Sequence, residues 1–312
     1  MKPKNISVCI ATFNGQNYIT KQLESIRNQS CQPDEVVICD DGSTDETVNM
    51  IRAFIQTHHL EESWHLYCNE QNKGYPENFY YSMSLCTGDM VFLADQDDIW
   101  EPDKIKKMQY IMSGDEDIKL LSSAWGIVDS AGTVIRKPSV PGDYKSKITV
   151  PQIFYKYEWP GMSMCYRREL GLAVIKKAGR SKVPHDMALA LTAAEQNGFV
   201  TISQCLQYHR HHGANVAMEE HRLMKILNKK RKMIEIDRYL KMLDAIAQSQ
   251  VLEQEDNRKL VQCKMQILKK RLHNLTHGKL FGIIGQYLQN RDMVRASTLI
   301  CDCLICWQRG KE

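Results

Sequence analysis

The chain has 312 residues, with 41 Lys and Arg against 37 Asp and Glu, and 43% of its residues are hydrophobic. That length supports one large domain or two modest ones, each with a core of its own, and the composition is ordinary for a soluble globular protein. No stretch approaches the roughly 18 apolar residues of a membrane-spanning helix, and "MKPKNISVCIATFN" is interrupted too early for a signal peptide.

The first half alternates between strand and helix patterns. "ISVCIA" (6–11) is a short β-rich run, and residues 18–29 then place Ile19, Leu23 and Ile26 at helical spacing. "EVVICD" (35–40) predicts a second strand. Residues 43–56 open with a Ser/Thr cap and an acidic first turn, then run helical. A third strand is expected at 64–69, and a helix at 76–86 with Pro76 in its first turn. "DMVFLAD" (89–95) predicts a fourth strand, 102–112 a helix that starts at Pro102, and 118–129 a fifth strand that leads into a hairpin. This alternation predicts an α/β fold: a mostly parallel, Rossmann-like sheet flanked by helices. Ligands of such sheets bind beyond the carboxyl ends of the strands.

Residues 130–218 are less regular and carry Pro138, Pro141, Pro151, Pro160 and Pro184. From about 219 the chain reads helical. That tail holds 19 Lys and Arg against 11 Asp and Glu, a net charge of +8, while the remainder is net −4. An acidic-to-neutral front and a basic tail suggest two jobs. The eleven cysteines lack paired spacing, so reduced, buried thiols of a cytoplasmic protein are expected. "CDCLIC" (Cys301, Cys303, Cys306) lacks the second ligand pair of a zinc site and reads as an apolar helix face.

Two acidic clusters stand at strand ends. "FLADQDDIWEPDKI" (92–105) puts Asp95, Asp97 and Asp98 after an apolar run. Clustered carboxylates repel unless donors or a cation compensate, and Mg²⁺ or Mn²⁺ prefers such oxygen ligands. Asp98 fits a helix-start role, where negative charge is favoured. "CDDGS" puts Asp40 and Asp41 before Gly42, which allows a sharp turn. After the first strand, Phe13 offers a ring to a flat ligand, and the backbone at Ala11 and Thr12 offers groups to a base edge. Neither G-x-G-x-x-G nor G-x-x-x-x-G-K-[ST] is present, which argues against a dinucleotide enzyme and a P-loop kinase.

Taken in order, "SVCIATFNGQNYITKQLESIRNQSCQPDEVVICDDGSTDET" and "NKGYPENFYYSMSLCTGDMVFLADQDDIWEPDKI" resemble the inverting family 2 glycosyltransferases of the GT-A fold. The likeness covers residues 5 to about 216 and is greatest to a bacterial rhamnosyltransferase-like branch. It implies that Asp41 binds the base beside Ala11, Thr12 and Phe13, with Asn78 at the nucleotide edge. Asp95 and Asp97 match the D-x-D motif, with Asp97 as metal ligand and Asp95 toward ribose or sugar. Trp100, Gly161, Met162 and His185 fall where donor sugar and acceptor meet. Asp186 matches the catalytic base. His185 replaces the glutamate usual before it, which leaves the role of that first carboxylate open. "YHRHHGAN" implies Arg210 at phosphate and His212 as a third metal ligand, with His209 and His211 facing solvent.

The reading is thus of a GT-A catalytic domain over 1–218, with a nucleotide half to about 130 and an acceptor half after it, and a basic helical region over 219–312. The implied reaction moves a sugar, best dTDP-rhamnose, to a glycan or polyprenyl-diphosphate-linked acceptor with Mn²⁺ or Mg²⁺. A UDP-hexose or UDP-N-acetylhexosamine donor is the alternative. A non-catalytic nucleotide- or glycan-binding module is the alternative of another class. The basic region is read as touching the inner membrane surface or as packing on protein. No nucleic acid partner is expected, and a homo-oligomer stays open.

Overall fold

The computed structural model describes residues 5–138, 145–178, 181–211 and 228–308. The chain divides into two compact units: residues 1–148 with 159–214, and residues 149–158 with 215–312.

In the first unit the expected alternation is present. β1 (Ile6–Thr12), α1 (Ile19–Arg27), β2 (Glu35–Asp40), α2 (Thr47–Thr57), β3 (Trp64–Cys68), α3 (Tyr75–Leu85) and β4 (Met90–Asp95) follow in order. Next come β5 (Ile99–Trp100), α4 (Lys104–Ser113), β6 (Leu120–Val128), β7 (Val134–Arg136) and β8 (Lys145–Lys147). A 3-10 turn at Gly161–Ser163 leads into β9 (Met164–Arg167), α6 (Arg168–Ala178), α7 (His185–Glu195) and β10 (Phe199–Arg210). The sheet runs β3-β2-β1-β4-β9-β6-β10-β5, with β7 on β6 and β8 on β10. β1, β2, β3 and β4 pair in parallel, and so do β6 and β10. β9 lies antiparallel to both β4 and β6, so those two strands point the same way. Six strands therefore end at one edge, where β9 begins.

Apolar periodicity explains the core. Val8, Ile10, Ile38 and Phe92 are fully buried between helix faces, each worth about 1.5–3 kcal/mol of burial. α7 is buried at nine of eleven positions. Its run of Ala and Leu lets it sit close to the sheet and to α3 and α6.

The register sets the strand ends side by side: Thr12 lies opposite Asp40, and Ala11 opposite Asp95. Two local expectations need correction. α2 starts at Thr47, not at 43, because Asp45 accepts from the Thr47 N–H (3.0 Å) and Ser43 is held by Asp40. Asp98 does not start α4. It is fully buried and bonded to β10.

The second unit contains α5 (Val150–Tyr155), α8 (Lys229–Gln248), α9 (Glu255–His277), α10 (Leu280–Gln289) and α11 (Ala296–Gln308). It includes 149–158, which the sequence reading had placed in the acceptor half. Among the described residues no helix is long and apolar enough to cross a membrane. All eleven cysteines are free thiols, and Cys301, Cys303 and Cys306 lie half-buried on α11.

Candidate active site

The loop after β2 is built by its two aspartates. Asp40 accepts from Thr12 Oγ1 (2.8 Å), the Ser43 N–H (2.8 Å) and Ser43 Oγ (2.6 Å), which folds the strand end into a turn. Gly42 sits at φ +78°, a conformation that disfavours any residue with a Cβ. Asp41 is buried. Its carboxylate accepts from Asn69 Nδ2 (2.9 Å) and from the N–H groups of Lys73 (2.9 Å) and Gly74 (2.8 Å). Three donors fill most of the roughly four acceptor directions of a carboxylate, so Asp41 anchors the 69–74 loop. Asn78 corrects the expectation of a nucleotide-edge residue. It is buried, donates to the Cys39 carbonyl (2.8 Å) and accepts from Asn69 (2.9 Å). It braces Asp41 from below.

After β1, Ala11 is half-buried, Thr12 is buried and Phe13 is 44% exposed. Gln96 clamps this corner in both directions. It accepts from the Phe13 N–H (2.9 Å) and donates to the Phe13 carbonyl (3.0 Å). The acidic loop after β4 is therefore tied to the end of β1.

Asp95 and Asp97 are half-buried at that edge. Burial, and after it the charges of Asp98, Asp97 and Asp186, push the Asp95 carboxyl well above the usual range, with His209 opposing. Asp186 reaches the same place from the first turn of α7, where negative charge is favoured, and accepts from the Met187 N–H (2.7 Å). Half-exposed Tyr75, at the start of α3, stands within electrostatic reach of both Asp186 and Asp95. Burial and those charges push its phenol up to about 12. Sequence reasoning did not single out Tyr75.

Crowded carboxyl groups suit a hard divalent cation, and the donor set here is oxygen. Asp95 and Asp97 thus fit a metal. Among the described residues no group of three His, Cys, Asp or Glu could hold one alone. Substrate oxygens would have to complete the shell. His212 lies outside the described residues.

Behind the acidic loop the structure corrects three further expectations. Arg210 is fully buried. Its Nε donates to the Asp97 carbonyl (2.9 Å), and its Nη1 to the carbonyls of Ser130 (3.0 Å) and Asp129 (3.3 Å). These bonds brace the loop from within. His209 is no solvent-facing histidine. Its Nδ1 pairs with Asp98 Oδ1 at 3.0 Å. Trp100 is buried against Phe92, and the Lys104 Nζ lies 3.7 Å from its ring centroid.

Lys104 is a residue the motifs did not reveal. It is fully buried and donates to the Met162 carbonyl (2.7 Å), which pins the 161–163 turn to α4. Burial pulls its ammonium down to about 7, with Asp98 opposing. A lysine at the first residue of a helix opposes the helix dipole, and that was the available signal. Gly161, Met162 and His185 are likewise buried, a supporting layer beside Asp186 and not an exposed contact surface. A Cβ on Gly161 would lie 2.8 Å from His185 Nε2, so the close approach needs glycine. His185 stacks on Phe79 with 3.8 Å between centroids, and burial pulls its imidazole down to about 4.

The His209–Asp98 pair has a pH signature. Burial lowers the imidazole pKa, but the Asp98 hydrogen bond and the charges of Asp98, Asp95 and Asp97 outweigh it and hold it at about 9. A folded-state value above the unfolded 6.5 gives stability that is complete below about pH 6.5 and lost as pH rises through about 9. Melting temperature should therefore fall across that window, and His209→Gln should flatten the fall. Parallel curves for the two proteins would refute the pairing.

A groove of about 560 Å³ lies elsewhere in this unit, lined by Arg52, Trp64, Leu66 and Tyr67 of α2 and β3. It is open and holds no cluster of carboxylates.

Residues 7–159 match the family described as Glycosyl transferase family 2. An uncharacterized glycosyltransferase of Nostoc sp. is 26% identical over 215 residues, 67% of this chain and 66% of the relative. Chondroitin synthase of Escherichia coli is 34% identical over 101 residues, 32% of this chain and 14% of the relative. The chain thus spans less than two thirds of either relative. Among solved structures, S. aureus TarS 1–349 in complex with UDP-GlcNAc superposes with a TM-score of 0.61 at 16% identity, covering 98% of this chain and 92% of that one. A mannosyltransferase from Pyrobaculum calidifontis, in complex with GDP-Man and Mn²⁺, gives 0.59 at 15% identity, covering 99% and 87%. The fold is that of the GT-A glycosyltransferases.

Proposed function

Because residues 7–159 match the Glycosyl transferase family 2 domain, we propose that the chain is an inverting glycosyltransferase that uses a nucleotide-sugar donor. The observation that carries this reading is that Asp95 and Asp186, 91 positions apart in sequence, come within electrostatic reach of each other at the carboxyl edge of the parallel strands. Asp186 takes the proton of an acceptor hydroxyl. That oxygen forms its bond to the anomeric carbon as the bond to the diphosphate breaks, and the electron pair leaves with the diphosphate. One displacement inverts the centre, so no sugar–enzyme intermediate forms.

Asp41, with the loop it anchors, and the exposed ring of Phe13 form the base pocket. Asp95 and Asp97 would hold Mn²⁺ or Mg²⁺, whose charge would stabilise the departing diphosphate. The Mn²⁺ in the Pyrobaculum neighbour's complex supports this.

For the donor, the "DQDDIW" and His185–Asp186 pattern favours dTDP-rhamnose, while the neighbours with UDP-GlcNAc and GDP-Man keep UDP and GDP sugars in the comparison. The acceptor class is a glycan or lipid-linked glycan of a bacterial surface polysaccharide, and the location is cytoplasmic. A panel of nucleotide sugars, assayed for metal-dependent release of nucleoside diphosphate, tests the proposal. Release from one donor far above the others supports it. No release from any donor, with or without Mn²⁺, removes it.

A further inference from the structure

The second unit carries an amphipathic arrangement turned outward. α10 has no charged residue, and Phe281, Ile284 and Leu288 recur along it at helical spacing on its exposed side. Phe281 is 88% exposed and Leu288 64%. α11 packs against α10 and repeats the pattern with Ile300, Leu304 and Trp307, the last 62% exposed. One polar side chain of each helix, Gln286 on α10 and Asp302 on α11, faces inward. Gln286 is buried and accepts from Asn274, and Asp302 is buried and takes two hydrogen bonds from Arg271 (2.5 and 2.8 Å). A helix face bound for water places charge outside and apolar groups inside. Here the only charge on either described helix is sealed within.

The charges around this face select its partner. The exposed charged side chains in the segments that flank α10 are Lys279 and Arg291, against Asp292 alone. Lys279 precedes α10 and Arg291 follows it. A two-fold contact between copies through this face would bring basic groups toward their own copies with little acid to pair them. An anionic lipid surface satisfies both features: the apolar side chains enter the acyl boundary, and the cations meet headgroups.

We propose that the exposed faces of α10 and α11 seat the protein on an anionic membrane surface. The inference stands on the second unit alone and holds whether or not the first unit transfers sugar.

The test is flotation of the full chain with phosphatidylcholine vesicles, with and without phosphatidylglycerol. Binding should require phosphatidylglycerol and weaken in high salt. Phe281→Ser and Leu288→Ser should each lower the partition coefficient about tenfold. Lys279→Glu should lower it at low salt and matter less at high salt. These side chains are exposed, so circular dichroism and nucleotide-sugar turnover without vesicles should match wild type. Failure to bind anionic vesicles, or equal binding by all variants, overturns the proposal. So does a concentration-dependent dimer that Phe281→Ser dissolves, since the face is then a contact between copies. Vesicle binding without any turnover would leave this inference standing and remove the transferase reading.

Discussion

Asp186→Asn should fold, bind donor nucleotide as wild type does, and transfer almost no sugar. General-base catalysis contributes about 10² to 10⁴-fold, or roughly 3–5 kcal/mol of barrier. The substitution keeps shape but leaves nothing to accept the acceptor's proton. Stability should change little, because Asp186 is half-buried in the first turn of α7 and accepts a hydrogen bond from the next residue's N–H, which an amide oxygen can also accept. Turnover and calorimetric nucleotide affinity, measured on the same preparation, separate the two effects. Wild-type turnover would remove Asp186 from the role.

Arg210→Met should be the more damaging change to the fold. It keeps most of the buried stem and removes the donors to the carbonyls of Asp97, Asp129 and Ser130. Hydrogen bonds from a charged group are worth about 1.5–3 kcal/mol each, and stripping a buried network commonly costs about 3–5 kcal/mol. For a unit of this size that lowers the melting temperature by about 10 °C. Nucleotide affinity in Mn²⁺ should fall as well, because the backbone of Asp97 loses its support. Differential scanning calorimetry decides the matter. An unchanged melting temperature with lost nucleotide affinity would return Arg210 to the phosphate contact that the sequence resemblance implied.

The neighbouring aspartates show where sequence reasoning stopped. Asp97 and Asp98 are adjacent aspartates that follow the same strand. Local rules assigned Asp98 to the start of α4. In the structure β10 runs antiparallel beside β5, with Tyr208 opposite Ile99. That pairing brings His209 and Arg210 onto residues 97 and 98 across more than 110 positions of sequence. No periodicity encodes such a contact. The same limit hid Lys104, whose partner Met162 is 58 residues away, and it made Asn78 and Trp100 look like ligand contacts when both are buried braces.

The sequence by itself determined the alternation of strand and helix, the position of each acidic motif at a strand end, and the helical, basic character of the tail. These are local properties: side-chain period, β-branching, turn residues and charge along the chain. Only the tertiary structure decided which aspartates stay half-exposed at the strand edge and which are buried against β10. It also brought Tyr75 within electrostatic reach of Asp186 and turned the apolar sides of α10 and α11 outward. Those outcomes depend on strand order and helix packing, which join residues far apart in the chain, and burial exists only once those partners have met.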